Sequence, residues 1–113
     1  MKLLFLCSRN QWRSPTAEAI YQNDPRVQVR SAGVSSAARI RVTEKLLRWA
    51  DVVCVMEHTH KKRLHADFPE VAADLNLEVL DIPDDYPYMD SDLVELLRER
   101  VEALIQQGGE FAD

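Results

Sequence analysis

A cysteine and an arginine stand six positions apart near the start of the chain, at Cys7 and Arg13. An ionised thiol is a strong nucleophile, and a guanidinium can hold an anion through two parallel N–H bonds. If the backbone amides between these residues converge, they form a nest for that anion. The sequence therefore predicts a nucleophile and a phosphate-sized anion site in one loop. The residues of this loop are Cys7, Ser8, Arg9, Asn10, Gln11, Trp12, Arg13 and Ser14.

A cluster of aspartates at Asp81, Asp84 and Asp85 supplies a second kind of chemistry. A carboxyl group beside an anion site can protonate a leaving oxygen while the phosphorus–oxygen bond breaks. The alternative is an acidic turn that is simply solvated. We expect one of these aspartates to serve as a general acid.

Elements of an α/β fold place both groups of residues. Apolar or alternating runs predict strands at residues 2–6, 27–31, 51–56 and 77–82. Helices are predicted from Ser14 as N-cap with Pro15 at the first turn, over 43–50, over 58–67, and from Asp90 or Ser91 to a stop at Gly108 and Gly109. The alternation predicts a single domain over residues 1–113, with a four-stranded parallel sheet and helices on both faces. Cys7 and the aspartates then lie at the carboxyl ends of strands, where such sheets bind ligands.

Composition limits the class of protein. The chain has 113 residues, a formal net charge of −5, 46% hydrophobic and 29% charged residues. This acidic balance argues against nucleic-acid or membrane partners. The apolar run at residues 3–6 is too short for a signal sequence. Cys54 lies in the apolar run VVCVM and is predicted to be buried, so the two cysteines indicate a reducing, cytoplasmic location.

Three histidines stand in a basic stretch that is predicted to be an exposed helix. No two of His58, His60 and His65 are three or four positions apart, so the stretch does not predict a metal site. The neighbouring run at residues 61–63 is predicted to be a solvated helix face.

Four stretches together resemble one family. The segment CSRNQWRSPTAE is similar to the signature C-x-G-N-x-C-R-S-P-x-A-E of the low-molecular-weight protein tyrosine phosphatases. Ser31-Ala32-Gly33 resembles the family's S-A-G, and ADVVCVMEHTHKKRL resembles its third strand and following helix. IPDDY resembles the loop I-x-D-P-Y that carries the family's general acid. The chain is identified as a short, divergent member of this family.

The resemblance implies a phosphatase-like fold and a cysteine-dependent mechanism. It implies that Cys7 attacks phosphorus, Arg13 binds the phosphoryl oxygens and Asp84 is the general acid. It further implies that Ser14 stabilises the thiolate, that Asn10 braces the loop, and that neither a metal nor an organic cofactor is needed. The expected substrate is a phosphorylated protein or a small phosphomonoester, and the expected state is a monomer or weak dimer.

Several positions depart from the family pattern. Arg9 replaces the loop glycine, although Asn10 tolerates a left-handed backbone and should let the loop close. Trp12 replaces the second loop cysteine and either packs beneath the loop or walls the pocket. Asp85 replaces the proline after the general acid. Gln11 matches neither usual choice at the position that helps to separate phosphotyrosine from phosphoarginine enzymes.

The segment after Gly33 is shorter than in the family, where it supplies an aromatic pocket wall. Tyr86 and Tyr88 are predicted to supply aromatic walls from the other side; packing on the final helix is the alternative. Two other functions stay open. One is a non-catalytic phosphate- or phosphopeptide-binding module, and the other is a thiol arsenate reductase, for which Cys54 is the sole further thiol.

Overall fold

A computed structural model describes residues 1–110 of the chain, and its sheet is the scaffold of the site. The strands are β1 (Lys2–Cys7), β2 (Gln28–Gly33), β3 (Val52–Val55) and β4 (Leu77–Val79). The helices are α1 (Arg13–Tyr21), α2 (Glu44–Trp49), α3 (His58–Asp67), α4 (Pro69–Ala73) and α5 (Ser91–Glu110). The strands run parallel in the order β2-β1-β3-β4. The predicted fold class is confirmed.

The alternation of side chains along β1 builds two apolar layers. Leu3, Phe5 and Cys7 belong to the layer that packs with residues of α1 and α5. Leu4 and Leu6 belong to the opposite layer, which packs with residues of α2, α3 and α4. Both faces of β1 are buried, and after Lys2 the strand is apolar from Leu3 to Cys7, as is typical of a central parallel strand.

Several predicted boundaries were wrong. Helix α1 begins at Arg13 with Trp12 as N-cap, so Ser14 lies inside the first turn and its hydroxyl is free for other partners. Strand β4 ends at Val79 instead of residue 82. The short helix α4 was not predicted.

The final helix also differs from its predicted end. It runs through Gly108 and Gly109 to Glu110, because two glycines weaken a long helix by only about 1 kcal/mol each. Asp90 caps its start, as predicted, by accepting the N–H groups of Asp92 and Leu93. The predicted single domain over residues 1–113 stays a prediction, and residues 111–113 lie outside the described residues. No helix in the described part of the chain is long and apolar enough to cross a membrane.

Candidate active site

The loop after β1 directs its backbone carbonyls outward. Three successive carbonyl oxygens, those of residues 7, 8 and 9, accept backbone N–H groups from the segment 34–39 at 2.9–3.0 Å. The next carbonyl, that of Asn10, accepts the Nε–H of Arg39 at 3.2 Å. In a trans peptide the N–H points opposite to the C=O, and the described residues contain no cis bond. The N–H groups of residues 8–11 therefore point inward, as an anion nest requires.

The loop closes without a glycine of its own. Asn10 has a φ of 56°, the left-handed conformation that it was expected to tolerate. Its Nδ2 donates at 2.9 Å to the hydroxyls of Ser14 and Ser31, which holds this conformation from within the fold. The loop also packs closely against Gly33 of β2. A Cβ at this position would lie 2.5 Å from the carbonyl oxygen of Ser8, so the close packing requires a glycine there.

The sulfur of Cys7 forms the floor of the loop. It lies 3.0 Å from the hydroxyl oxygen of Ser14, a residue that is fully buried. That hydroxyl accepts a bond from Asn10 and is also placed to donate to the carbonyl of Ala32 at 3.2 Å. A thiol at Cys7 can thus donate to Ser14, whereas a thiolate would draw the single Ser14 hydroxyl proton to itself. The site holds a hydrogen-bond donor ready for a charged sulfur.

The guanidinium of Arg13 is buried beside the sulfur and is held by two acceptors. Its Nη1 donates to a carboxylate oxygen of Glu57 at 2.6 Å and to the carbonyl of Ile82 at 2.8 Å. Only 2% of the Arg13 side chain is exposed. Because Nη1 is engaged, the Nε and Nη2 donors form the edge that remains for an anion. The sequence placed Arg13 at the site, but it gave no sign of Glu57 as its partner.

Of the three predicted aspartates, Asp84 is the one that reaches the site. Its Oδ1 lies 3.5 Å from Nε of Arg13, and 58% of its side chain is exposed. Asp81 instead lies 3.9 Å from Nε2 of His58 and is largely exposed. Asp85 is exposed and does not line the cavity. The structure therefore separates Asp84 from its neighbours by position.

These groups surround a cavity of about 400 Å³. Its walls are formed by Cys7, Ser8, Arg9, Gln11, Trp12, Arg13 and Asp84. The Trp12 side chain is 47% exposed and forms part of the cavity wall, so it does not pack beneath the loop. Asn10 and Ser14 lie beneath the loop rather than on the cavity surface.

The two tyrosines predicted as pocket walls do not line this cavity. Tyr86 packs against the apolar layer that contains α5, because its side chain is turned into the fold. Tyr88 is 52% exposed and lines a neighbouring groove, which shares Gln11 with the cavity. The wall opposite Asp84 is therefore supplied by the first loop itself.

His60 belongs to the site although the sequence suggested an exposed position. It is 2% exposed, its Nε2 lies 3.0 Å from Oγ of Ser8, and its Nδ1 accepts the N–H of Glu57 at 3.1 Å. Burial, aided by the positive charge of Arg13, lowers the pKa of His60 to about 4. A carboxylate followed three residues later by a polar side chain is the pattern of a reciprocal helix cap, and this was the available signal.

Neither the remaining histidines nor Cys54 adds chemistry to the cavity. Among the side chains that the structure describes, no three from histidine, cysteine, aspartate and glutamate come together in a group that could hold a metal. Cys54 is fully buried within β3, as predicted, and burial raises the pKa of its thiol to about 12. Both cysteines thus belong to the apolar layer that packs with α1 and α5, but only Cys7 lines the cavity.

No family model matches the chain. A curated relative, the Protein-arginine-phosphatase of Bacillus subtilis (strain 168), is 30% identical over 60% of this chain and 63% of that protein. The match thus spans less than two thirds of the relative's own length.

Solved structures resemble almost the whole chain. One is the YwlE arginine phosphatase, in a Cys-to-Ser mutant with a phosphorylated active-site serine. It is 24% identical, has a TM-score of 0.75, and the match covers 98% of this chain and 97% of that one. Another is a low-molecular-weight protein tyrosine phosphatase from Bacillus subtilis, which is 25% identical with a TM-score of 0.69, covering 97% and 95%. The resemblance identified from the motifs is confirmed, and the chain has the fold of these phosphatases.

Proposed function

We propose that this protein is a cysteine-dependent phosphomonoesterase that works through a phosphocysteine at Cys7. The carrying observation is the placement of the Cys7 sulfur at the floor of a cavity ringed by inward backbone amides and the buried guanidinium of Arg13. Such a ring of N–H donors can position a phosphoryl group and stabilise its negative charge, which is most of what catalysis of phosphoryl transfer requires. The phosphatase relatives and the phosphorylated active-site serine of the YwlE mutant support the same chemistry.

Substrate binding would use the donors that the fold leaves free. The amides of residues 8–11 and the Nε–Nη2 edge of Arg13 would bind the three non-bridging oxygens, which stay on phosphorus throughout the reaction. Glu57 and the carbonyl of Ile82 hold Nη1, so the guanidinium is aimed before the substrate arrives. Donors fixed in advance stabilise charge without reorganising during the reaction.

The reaction would proceed in two displacements at phosphorus. In the first, the Cys7 thiolate forms a sulfur–phosphorus bond, the phosphorus–oxygen bond to the substrate breaks, and Asp84 gives its proton to the leaving oxygen. In the second, Asp84 takes a proton from water, the water oxygen attacks phosphorus, and the thiolate leaves. The hydroxyl of Ser14 turns toward the sulfur whenever it is charged.

The substrate is a phosphorylated protein or a small phosphomonoester. Gln11 lines the cavity at the position that separates phosphotyrosine from phosphoarginine enzymes in the related family. The arginine phosphatase and tyrosine phosphatase among the relatives leave phosphoarginine and phosphotyrosine as candidates. With phosphoarginine, the bond broken would be phosphorus–nitrogen, and Asp84 would protonate the leaving nitrogen. The cytoplasmic location and the monomer or weak dimer stay predictions.

The arsenate reductase gains no support as an alternative. Its chemistry would need a second redox-active thiol, and Cys54 is closed inside β3 with a thiol whose pKa is raised to about 12. The binding-module alternative was suggested by the missing loop glycine, and Asn10 now fills that conformational role.

Hydrolysis of an aryl phosphate by the wild type and by Cys7→Ser tests the proposal. The account predicts turnover by the wild type and essentially none by the variant, with Cys54→Ser as a matched control that retains activity. Phosphotyrosine and phosphoarginine peptides assayed side by side would then identify the substrate class. Binding of phosphate without any turnover would favour the binding module.

A further inference from the structure

The two ends of the anion loop are tied to the same turn of helix. Ser8, at the start of the loop, contacts His60 in the first turn of α3. Arg13, at the end of the loop, contacts Glu57, the N-cap residue of that helix. Glu57 and His60 also bond to each other reciprocally, because each accepts the backbone N–H of the other in its side chain. The loop and the helix cap therefore form one continuous set of hydrogen bonds.

The cap determines which ring nitrogen of His60 carries the proton. Nδ1 accepts the N–H of Glu57 and must present its lone pair there. A neutral imidazole then has its hydrogen on Nε2, which lies 3.0 Å from the oxygen of Ser8. His60 is therefore the donor in that bond and Ser8 is the acceptor. A carbonyl–amide bond at 2.9 Å from Ser35 to Ser8 holds the same residue from the other side.

We propose that His60 is a positioning residue of the anion site. Its Nε2–H tautomer holds Ser8 at the start of the loop. Its cap with Glu57 links this bond to the bond by which Glu57 holds Arg13 at the end of the loop. This rests on the proposed function, because the held loop is the proposed phosphate site. The pair sets the direction of the first inward amides before any anion binds. Neither residue needs to touch the substrate for this role.

Protonation of His60 would break the arrangement. A hydrogen on Nδ1 would point at the N–H of Glu57, so the cap could not form, and this repulsion would push the ring and its Nε2 donor away from Ser8. The charged groups that face the ring are Arg13 from α1, Glu57 from the cap and Asp84 from the loop after β4, while Ser8 is neutral. Burial and the Arg13 cation outweigh the two carboxylates, so the pKa of His60 is lowered to about 4 and the ring stays neutral. The 3.8 Å approach of Nε2 to Glu57 is accordingly not an ion pair.

Three substitutions of His60 distinguish the bond to Ser8 from the bond to the N–H of Glu57. Glutamine carries an N–H donor at the same number of bonds from Cβ as Nε2, so His60→Gln keeps the bond to Ser8. Asparagine carries an oxygen at the place of Nδ1, so His60→Asn keeps only the cap. His60→Ala removes both, and His65→Gln, on the exposed side of α3, is the matched control.

The test measures the affinity for inorganic phosphate by calorimetry and kcat and KM on an aryl phosphate. We expect His60→Ala, His60→Asn and Ser8→Ala each to weaken phosphate binding about fivefold to tenfold, the size of one lost hydrogen bond. His60→Gln and His65→Gln should stay near the wild type. The double variant Ser8→Ala/His60→Ala should be no weaker than the weaker single one, since both remove the same bond.

A pH series, limited to pH values at which circular dichroism shows both proteins fully folded, gives a readout that simple destabilisation does not move. Between pH 6 and 4, phosphate is a monoanion, and its binding to the wild type should fall more steeply than its binding to His60→Gln, which has no group to protonate. Parallel plots of phosphate affinity against pH for the wild type and His60→Gln would contradict the proposal. So would a double variant in which the losses of phosphate affinity from Ser8→Ala and His60→Ala multiply.

The outcomes also distinguish the two proposals. A wild type that binds no phosphate would overturn the proposed function and the role of His60 with it. If the wild type, His60→Ala and Ser8→Ala all bind phosphate with the same affinity, the role of His60 is overturned but the proposed function is not. If His60→Ala does not fold, Ser8→Ala and the pH series on His60→Gln still decide.

Discussion

The loop at residues 7–13 is fixed by the fold, whereas the loop at residues 81–90 is open to solvent. In the first, Asn10, Arg13 and the following Ser14 are buried, and their partners lie in β2, at the N-cap of α3 and in the segment after β4. In the second, Asp84 is 58% exposed and meets the site only at 3.5 Å from Arg13. If the proposed roles hold, the side with Cys7 and Arg13 is preorganised, whereas Asp84 must complete its geometry when a substrate enters.

The largest expected effect comes from the open loop. Asp84→Asn should lower turnover of phenyl phosphate roughly 10²- to 10⁴-fold, the range for loss of a general acid. The loss should be much smaller for a substrate whose leaving group is already acidic, because that group needs no proton.

Asp85→Asn and Asp81→Asn are the matched controls for Asp84. Asp81 and Asp85 are exposed carboxylates outside the cavity, so the effect of either substitution on turnover should not depend on the leaving group. Steady-state kinetics with a series of aryl phosphates measures this. A leaving-group dependence in Asp85→Asn instead would place the acid one residue further along the chain.

In the fixed loop, Arg13→Lys should lower kcat/KM roughly 10²- to 10³-fold although the charge is kept. A lysine ammonium cannot offer the planar edge that Nε and Nη2 provide, nor reach Glu57 and Ile82 together. Arg9→Lys, at the exposed rim of the same cavity, is the control and should change kcat/KM little. Equal losses in the two variants would mean that charge alone matters.

A smaller effect is expected one contact away from the cavity. Glu57→Gln keeps an oxygen for Nη1 of Arg13 but loses the charge, so kcat/KM should fall about threefold to tenfold. The loss should be in kcat more than in KM, because a misdirected guanidinium still binds an anion. Unchanged kcat would show that Ile82 alone directs Arg13.

The last effect is on stability rather than on turnover, and it depends on pH. The pKa of His60 is lowered to about 4 in the fold, whereas an unfolded chain binds that proton near its ordinary value of 6.5. The unfolded state therefore binds more protons between these values, and stability falls as the pH drops from 6.5 to 4. The loss is about 3 kcal/mol at 1.36 kcal/mol per pKa unit. Urea unfolding across this range should show it, and His60→Gln should flatten the curve.

The same two regions explain what could be predicted from sequence. Cys7, Arg13 and Asn10 belong to a continuous segment whose strand, turn and helix signals are local, so both the loop and its left-handed residue were predicted. His60 bonds to Ser8 across 52 positions, and no local pattern carries that information. The helix face containing His60 was predicted as exposed because its composition is basic, although His60 and Leu64 are buried.

The wrong placements share a similar cause. Ser14 has the sequence of an N-cap, but its hydroxyl is taken by Cys7, Asn10 and Ala32, which are distant or buried partners. Tyr86 was expected at the pocket and instead packs against the apolar layer, because the loop after β4 folds back toward α5. Tertiary contacts thus overrode local signals where the site itself is assembled.

The central claim is that Cys7 is the nucleophile, and its most direct test is to trap the phosphoenzyme. Wild-type protein and the Asp84→Asn variant would be mixed with an aryl phosphate that has an acidic leaving group, quenched with a denaturing detergent at mildly alkaline pH, where a phosphorus–sulfur bond survives, and mapped by mass spectrometry. The account predicts one phosphoryl group on Cys7, none on Cys54, and greater accumulation in Asp84→Asn, where hydrolysis of the intermediate lacks its base. Turnover without any phosphoryl group on Cys7, or with one on another residue, would contradict it.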